Sequence, residues 1–281
     1  PPISGVAPQK FQTCEIINQP SNLKITEEGV LFKSHKDGTK ILLTPEKSIK
    51  IQERINADMI FTFDECTSPL HDYEYTKKSM ERTHRWALRC LKSKKSDQAL
   101  FGIIQGGDHK DLRQKSADFI ASQPFDGIGI GGCLGDSQKS TEEILDWIHN
   151  KMPKERPRHL LGISDFESVI ESVKRGVDIF DCVAPTREAR NGKIYTRNGF
   201  LQIRNSMFKY DKNILERGCG CITCKNNYSR GYIRHLFHEK EMLGMRLATL
   251  HNIYFINRFF KEIRENIGDL DKWGKKFLKK F

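Results

Sequence analysis

Ala99-Leu-Phe-Gly-Ile-Ile104-Gln105-Gly106-Gly107, then Lys110–Ser122, then Gly127-Ile-Gly-Ile130-Gly131-Gly132, is the stretch on which the fold turns. Two short apolar runs, each stopped by glycines, enclose a segment whose apolar residues recur at helical spacing, so it reads as strand, helix, strand. The same unit recurs on both sides. Upstream lies Asp58-Met-Ile-Phe-Thr-Phe63 with a helical segment at 75–92; downstream lie His159-Leu-Leu-Gly-Ile163 and Val177-Asp-Ile-Phe180, with helical segments at 140–150 and Phe166–Lys174. Five strands alternating with helices predict parallel pairing through right-handed crossovers, hence an α/β sheet or barrel.

In such folds the chemistry gathers where strands end at their carboxyl side. Each of the five runs stops there on polar or glycine residues: Asp64-Glu65-Cys66, Gln105-Gly106-Gly107, Gly131-Gly132-Cys133, Gly162, and Asp181-Cys182. Any one of them alone would read as an ordinary cap or turn. Ahead of the units, the alternation of 30–43 around Asp37-Gly38 predicts a β-hairpin. Thr44-Pro45-Glu46 then predicts a helix start, with Thr44 as cap and Glu46 near the positive end of the dipole.

The chain has 281 residues, 37% of them hydrophobic and 10% aromatic, enough for one large domain or a domain with an appendage. No run approaches the ~20 apolar residues of a membrane span, and Pro1-Pro2-Ile3-Ser4 does not begin a signal peptide, so no membrane association and a cytoplasmic location are expected. Lys+Arg 47 against Asp+Glu 36 gives a net charge of +11. Lys272, Lys275, Lys276, Lys279 and Lys280 supply five of those charges, which fits a polyanionic partner or, more plainly, a solvated end.

Eight cysteines are too few for a disulfide scaffold in a chain of this length, and three fall together as Cys219-Gly-Cys221-Ile-Thr-Cys224. Three thiolates on a tight turn suit zinc, which takes four ligands in a closed structural site. The spacing leaves His235, His238 and His251 open as the fourth.

Together these motifs resemble the tRNA-guanine transglycosylase family, bacterial type. The resemblance is carried by Phe63-Asp64-Glu65-Cys66, the 101–107 and 125–132 stretches, Arg158-His-Leu-Leu-Gly162-Ile163, Phe180-Asp181-Cys182-Val-Ala-Pro-Thr186-Arg187, Ala189-Arg190-Asn191-Gly192, Ile203-Arg204-Asn205-Ser206, and the cysteine cluster followed by His251-Asn252. It implies a TIM (β/α)8 barrel that is N-terminally incomplete. Residues 1–204 would form the partial catalytic barrel, 205–260 a zinc-binding subdomain with packing helices, and 261–281 a C-terminal helix and basic tail.

The activity implied is exchange of guanine at the wobble position of tRNAs with GUN anticodons for a 7-deazaguanine, in queuosine biosynthesis. Asp181 would be the nucleophile that holds the ribose covalently. Asp64, Cys66, Gln105, Gly131, Gly132, Leu161 and Gly162 would bind the base. Gly162, Ile163, Ser164, Asp165, Phe166, Glu167 and Ser168, with Thr186, Arg187, Glu188, Ala189 and Arg190, would bind the tRNA anticodon loop. Cys219, Cys221, Cys224 and His251 would hold one structural Zn2+, and the protein would work as a homodimer.

The sequence departs from the family at two places. The family carries its acid/base aspartate in Asp-Ser-Gly-Gly-(Phe/Tyr)-Gln after three earlier βα units; here Phe11-Gln12 match its end and Ala7 stands where the aspartate belongs. The expectation is a shortened chain in which exchange is severely slowed; the alternative is a non-catalytic, zinc-stabilised tRNA-binding subunit. Second, Gly131-Gly-Cys-Leu-Gly135-Asp-Ser137 replaces a longer stretch beside the base that bears on which 7-deazaguanine is accepted; the Cys-x-x-Cys surroundings and the 186–192 loop point to 7-aminomethyl-7-deazaguanine rather than queuine.

Overall fold

The computed structural model describes residues 23–68, 70–132, 138–163 and 165–281, with the backbone alone at 138–140. Ala7, Phe11, Gln12, Ser164 and the 133–137 stretch lie outside the described residues. The chain divides into two compact units, the first holding the described residues up to 161 together with 171–180, the second 162–170 and 181–281.

The first unit opens with an antiparallel sheet of β1 (Lys24–Ile25), β2 (Val30–Lys33) and β3 (Lys40–Leu43), the β2–β3 pair being the hairpin expected around Asp37-Gly38. Helix α1 (Pro45–Ile55) starts as its sequence dictates. Thr44 Oγ1 accepts from the Lys47 N–H at 3.3 Å, Pro45 sits in the first turn, and Asn56 ends the helix in the left-handed conformation. There follow β4 (Met59–Phe61), α2 (Tyr73–Ser93), β5 (Ala99–Ile104), α3 (Lys110–Ser122), β6 (Gly127–Ile130), α4 (Gln138–Ile148), β7 (Arg158–Leu160), α5 (Phe166–Lys174) and β8 (Ile179–Phe180).

Strands β4 to β8 pair in parallel in strict chain order, and α1 packs on α2, α2 on α3, and α3 on α4. A doubly wound sheet reverses its strand order at a switch point. This one never does, so right-handed crossovers lay the helices on one face, the arrangement of a (β/α) barrel with five strands in the sheet. Its strands are nearly continuous apolar runs: Ile60, Leu100, Ile104, Ile128, Ile130 and Leu160, which share the one face by register, are almost fully buried, and so are Phe101 and Ile103 on the opposite face.

The second unit holds α6 (Ala184–Arg190), the hairpin β9 (Lys193–Thr196) and β10 (Gly199–Gln202), then α7 (Ile222–Lys225), α8 (Arg230–His238), α9 (Met242–Glu265) and α10 (Leu270–Leu278). The Asn252 side chain on α9 ties three of these elements together. Its Oδ1 accepts from Tyr195 N–H at 3.0 Å, and its Nδ2 donates to the Lys193 and Pro185 carbonyls at 2.9 and 3.1 Å. Phe166 packs among Tyr195, Phe200, Phe255, Phe259, Phe277 and Phe281 with ring centroids 4.6–6.1 Å apart. Among the described residues no helix is long and apolar enough to cross a membrane.

Candidate functional site

Sheet register sets the first constellation. Ile104 pairs with Ile130 and Ile130 with Leu160, and the ladder continues one step past the strands through Gly131 N–H to Ile104 O at 3.0 Å and Leu161 N–H to Ile130 O at 3.2 Å. Gln105, Gly131 and Leu161 therefore stand level at the carboxyl edge, the side on which loops of parallel sheets carry chemistry. Asp64 joins them from the loop after β4. Gln105 Nε2 donates to Asp64 Oδ2 at 2.6 Å.

Neither Gly131 nor Gly132 has room for a side chain, a Cβ at Gly131 falling 2.7 Å from Ile103 Cγ2 and one at Gly132 2.8 Å from Arg113 Nη2, with the Gln105 amide next. A Cβ at Gly131 would lie 2.9 Å from Gln105 Nε2, and one at Gly132, whose φ is +88°, would lie 3.0 Å from Gln105 Oε1. Gln105 is 2% exposed, and its Oε1 is buried with no hydrogen-bond partner among the described residues. Burial pushes the Asp64 carboxyl up to about 6, against the opposing pull of the Gln105 amide. At neutral pH it is therefore ionised, an acceptor pair beside an amide donor.

The loop bearing Asp64 is clamped onto α2. Glu65 N–H donates to Thr83 Oγ1 and Ser79 Oγ to Glu65 O, both at 3.0 Å, and the buried Glu65 carboxylate takes Tyr75 OH at 2.8 Å and pairs with Arg82. Phe63 stacks on Trp86 at 4.9 Å. Cys66 is exposed.

In the second unit Asp181, the first residue after β8 in the chain, is exposed, and its Oδ1 accepts from Gly162 N–H at 3.2 Å. Arg187 and Arg190 are exposed on α6, while Glu188 pairs with Lys193 at 2.9 Å and Thr186 Oγ1 donates to Val183 O. Three residues expected to touch RNA have buried side chains. Ala189 lies in the apolar core beside Ile194 and Ile203, Phe166 is the centre of the aromatic cluster, and Ser168 is buried with its N–H donating to Asp165 Oδ1 at 2.8 Å. Asp165 is thus the cap of α5. Gly162, Asp165 and Glu167 are exposed, and Ile163 is half-buried.

The second constellation is Cys219, Cys221, Cys224 and His251, all buried, with their ligand atoms within 4.8 Å of one another. The three sulfurs stand 3.7, 3.4 and 3.5 Å from His251 Nδ1. A tetrahedron built on metal–S of about 2.3 Å and metal–N of about 2.0 Å has S···N edges of about 3.5 Å, so the donors fit a four-coordinate ion. His251 Nε2 lies 2.8 Å from Tyr195 O, and a carbonyl there fixes the proton on Nε2 and turns Nδ1 toward the sulfurs.

The charge balance agrees with the geometry. Burial opposes charge on His251, yet the Cys219 and Cys221 sulfurs and the Tyr195 carbonyl outweigh it and push the imidazole up to about 10. A divalent cation would meet the same demand for positive charge. Of the three histidines left open by spacing, His235 and His238 are exposed on α8 beside Glu239 and take no part. Spacing missed the supports: Tyr195 and Asn252 in the second unit, and in the first Arg113, a charged residue in register with the buried face of α3 at Ser116, Ala117 and Ile120.

Comparison with known proteins shows the family. A family model described as queuine tRNA-ribosyltransferase matches residues 7–281. A relative from Archaeoglobus fulgidus is 49% identical over 254 residues, which are 87% of this chain and 63% of the relative. Proteins named queuine tRNA-ribosyltransferase from Caldanaerobacter subterraneus and Staphylococcus aureus are 46% and 47% identical, over 95% and 89% of this chain and 72% and 66% of their own lengths. The chain thus spans roughly two thirds of the relatives it matches.

Proposed function

The chain belongs to the queuine tRNA-ribosyltransferase family, and on that premise we propose that it exchanges guanine in tRNA for a 7-deazaguanine through an aspartyl-ribose intermediate. The observation that carries this reading is the level array of Asp64, Gln105, Gly131 and Leu161 at the sheet's carboxyl edge, with Asp181 directly following the next strand in the chain.

The ionised Asp64 accepts from guanine N1–H and the exocyclic amine, while the Gln105 amide and the Gly132 N–H donate to the carbonyl edge. An Asp181 oxygen attacks C1′ of the target nucleoside, the C1′–N9 bond breaks, and guanine leaves with the electron pair on N9 and takes up a proton from solvent, to which the incoming base later returns its own. The incoming base then attacks C1′ through N9, gives up its N9 proton, and releases the carboxylate. Gly162 N–H at Asp181 Oδ1 holds the nucleophile's orientation.

Arg187 and Arg190 meet the phosphates and bases of the anticodon loop, whose single-stranded target base is cheap to hold out of its stack. The Cys3His set holds zinc in a closed, structural role. Homodimer formation and a preference for the aminomethyl base complete the reading.

Incubation with radiolabelled guanine and a tRNA carrying guanine at the wobble position tests it. The wild-type chain should incorporate label at a rate held down by Ala7 at the acid/base position, Asp181→Ala should reduce incorporation to background, and a covalent protein–tRNA adduct should form only with Asp181 present. Ala7 at the acid/base position favours one other reading, a tRNA-binding subunit without chemistry. Retained tRNA binding with no incorporation and no adduct would establish that reading instead.

A further inference from the structure

One helix, α3, holds both halves of the edge assigned to the purine carbonyl. Arg113 on this helix is 0% exposed. Its Nε donates to Gly107 O at 2.7 Å, and its Nη1 to Gly131 O at 2.6 Å and Ile104 O at 3.3 Å. Those carbonyls belong to the end of β5, the turn after it, and the first residue past β6. A Cβ on Gly132 would come within 2.8 Å of Arg113 Nη2, so the Gly131–Gly132 segment lies directly against the guanidinium.

Ser116, one turn further along α3 and equally buried, accepts the Gln105 N–H at 3.0 Å. Its Oγ also lies 3.0 Å from His84 Nε2. Burial holds His84 down at about 4, so its ring is neutral and shares a hydrogen bond with the Ser116 hydroxyl that accepts from Gln105.

A guanidinium this deep is a costly way to fill space, and an apolar side chain would do so more cheaply. What it supplies is a planar fork that fixes several carbonyls at once, which neither lysine nor an apolar residue can reproduce. The Asp64 loop is held separately, by Ser79, Arg82 and Thr83 on α2.

We infer that Arg113 and Ser116 are positioning residues of the base site: they set Gln105 and the Gly131–Gly132 segment to read the carbonyl edge of a purine, while the Asp64 loop is anchored on α2 and meets them at the Gln105–Asp64 hydrogen bond. The inference rests on the base-exchange reading above.

The test measures dissociation constants of the full chain for three bases: guanine, hypoxanthine (carbonyl but no amine) and 2-aminopurine (amine but no carbonyl). Wild type, Arg113→Lys and Ser116→Ala are compared, with melting temperatures to confirm folding. Arg113→Lys should weaken guanine and hypoxanthine at least tenfold and 2-aminopurine less than twofold, with Ser116→Ala showing the same selectivity at smaller amplitude. A purely structural role would weaken all three alike; that outcome, or no change in any, overturns the inference. If Arg113→Lys does not fold, the base selectivity of Ser116→Ala decides by the same criterion. A wild-type chain that binds none of the three overturns the base-site reading itself, and this inference with it.

Discussion

The two units use polar side chains in opposite ways. In the first, Asp64, Gln105 and Arg113 are set on an apolar core that already stands: the sheet and α1 to α4 bury Ile60, Trp86, Leu100 and Ile128 without them. In the second, the chemistry-bearing side chains are themselves core. Cys219, Cys221 and Cys224 sit in one buried cluster with Ile194, Leu215, Ile233 and Leu247, and α7, which carries Cys224, is four residues long. A site on a scaffold can lose a residue and keep its fold, whereas a site that is the scaffold cannot.

The sharpest way to break that contrast is to remove the metal ligands. Zinc binding in small structural sites is worth roughly 10–16 kcal/mol, so Cys221→Ala or a strong chelator should abolish cooperative folding of the second unit. Limited proteolysis should then cut first within 205–265. An unchanged melting profile and cleavage pattern would show that this unit stands on its apolar contacts alone.

Phe166→Ala comes next. Deleting a buried phenyl from a well-packed cluster costs about 3–5 kcal/mol, measured by denaturant unfolding. The residue lies in a stretch expected to bind RNA, so a variant of normal stability with weakened tRNA binding would reverse the structural role given to it here.

Asp64→Asn should do the reverse, altering function and sparing the fold. Guanine affinity should fall by roughly 10–100-fold, about 1.4–3 kcal/mol, as an acceptor pair becomes half donor. Since its carboxyl is pushed up to about 6 from an ordinary 3.8, the folded state binds more protons than the unfolded state across that interval. Wild-type stability therefore falls as pH rises from about 4 to 6, by at most ~3 kcal/mol, and guanine affinity falls as pH drops below about 6. The asparagine variant should show neither slope, and a pH titration of both quantities checks it. Thr44→Ala should cost about 1 kcal/mol through its lost helix cap and leave base and tRNA binding untouched.

Legibility from sequence followed the same division. The strands and helices of the first unit came through clearly because periodicity and glycine stops are local signals: β5, α3, β6 and α5 fall where the pattern placed them. The metal set was legible through the Cys-x-Cys-x-x-Cys spacing, but the choice among three histidines was not. His251 lies 27 residues beyond Cys224 on another helix, and only folding brings its Nδ1 to 3.5 Å from that sulfur. Likewise a seven-residue helix over Ala184–Arg190 fixes which residues face out, so Ala189 turns inward while Arg187 and Arg190 remain outside.

By itself the sequence determined the class of fold, the order of its strands, the family, and the ends of β5, β6 and β8, because these follow from hydrophobic period, turn chemistry and chain order; β4 and β7 stop two and three residues before the ends of the runs read for them. Tertiary structure alone decided which residues meet: Gln105 on Asp64, Arg113 on the carbonyls of two separate strand ends, Tyr195 behind His251. Such contacts depend on sheet register and helix packing, which join residues distant in the chain, and no local pattern encodes them.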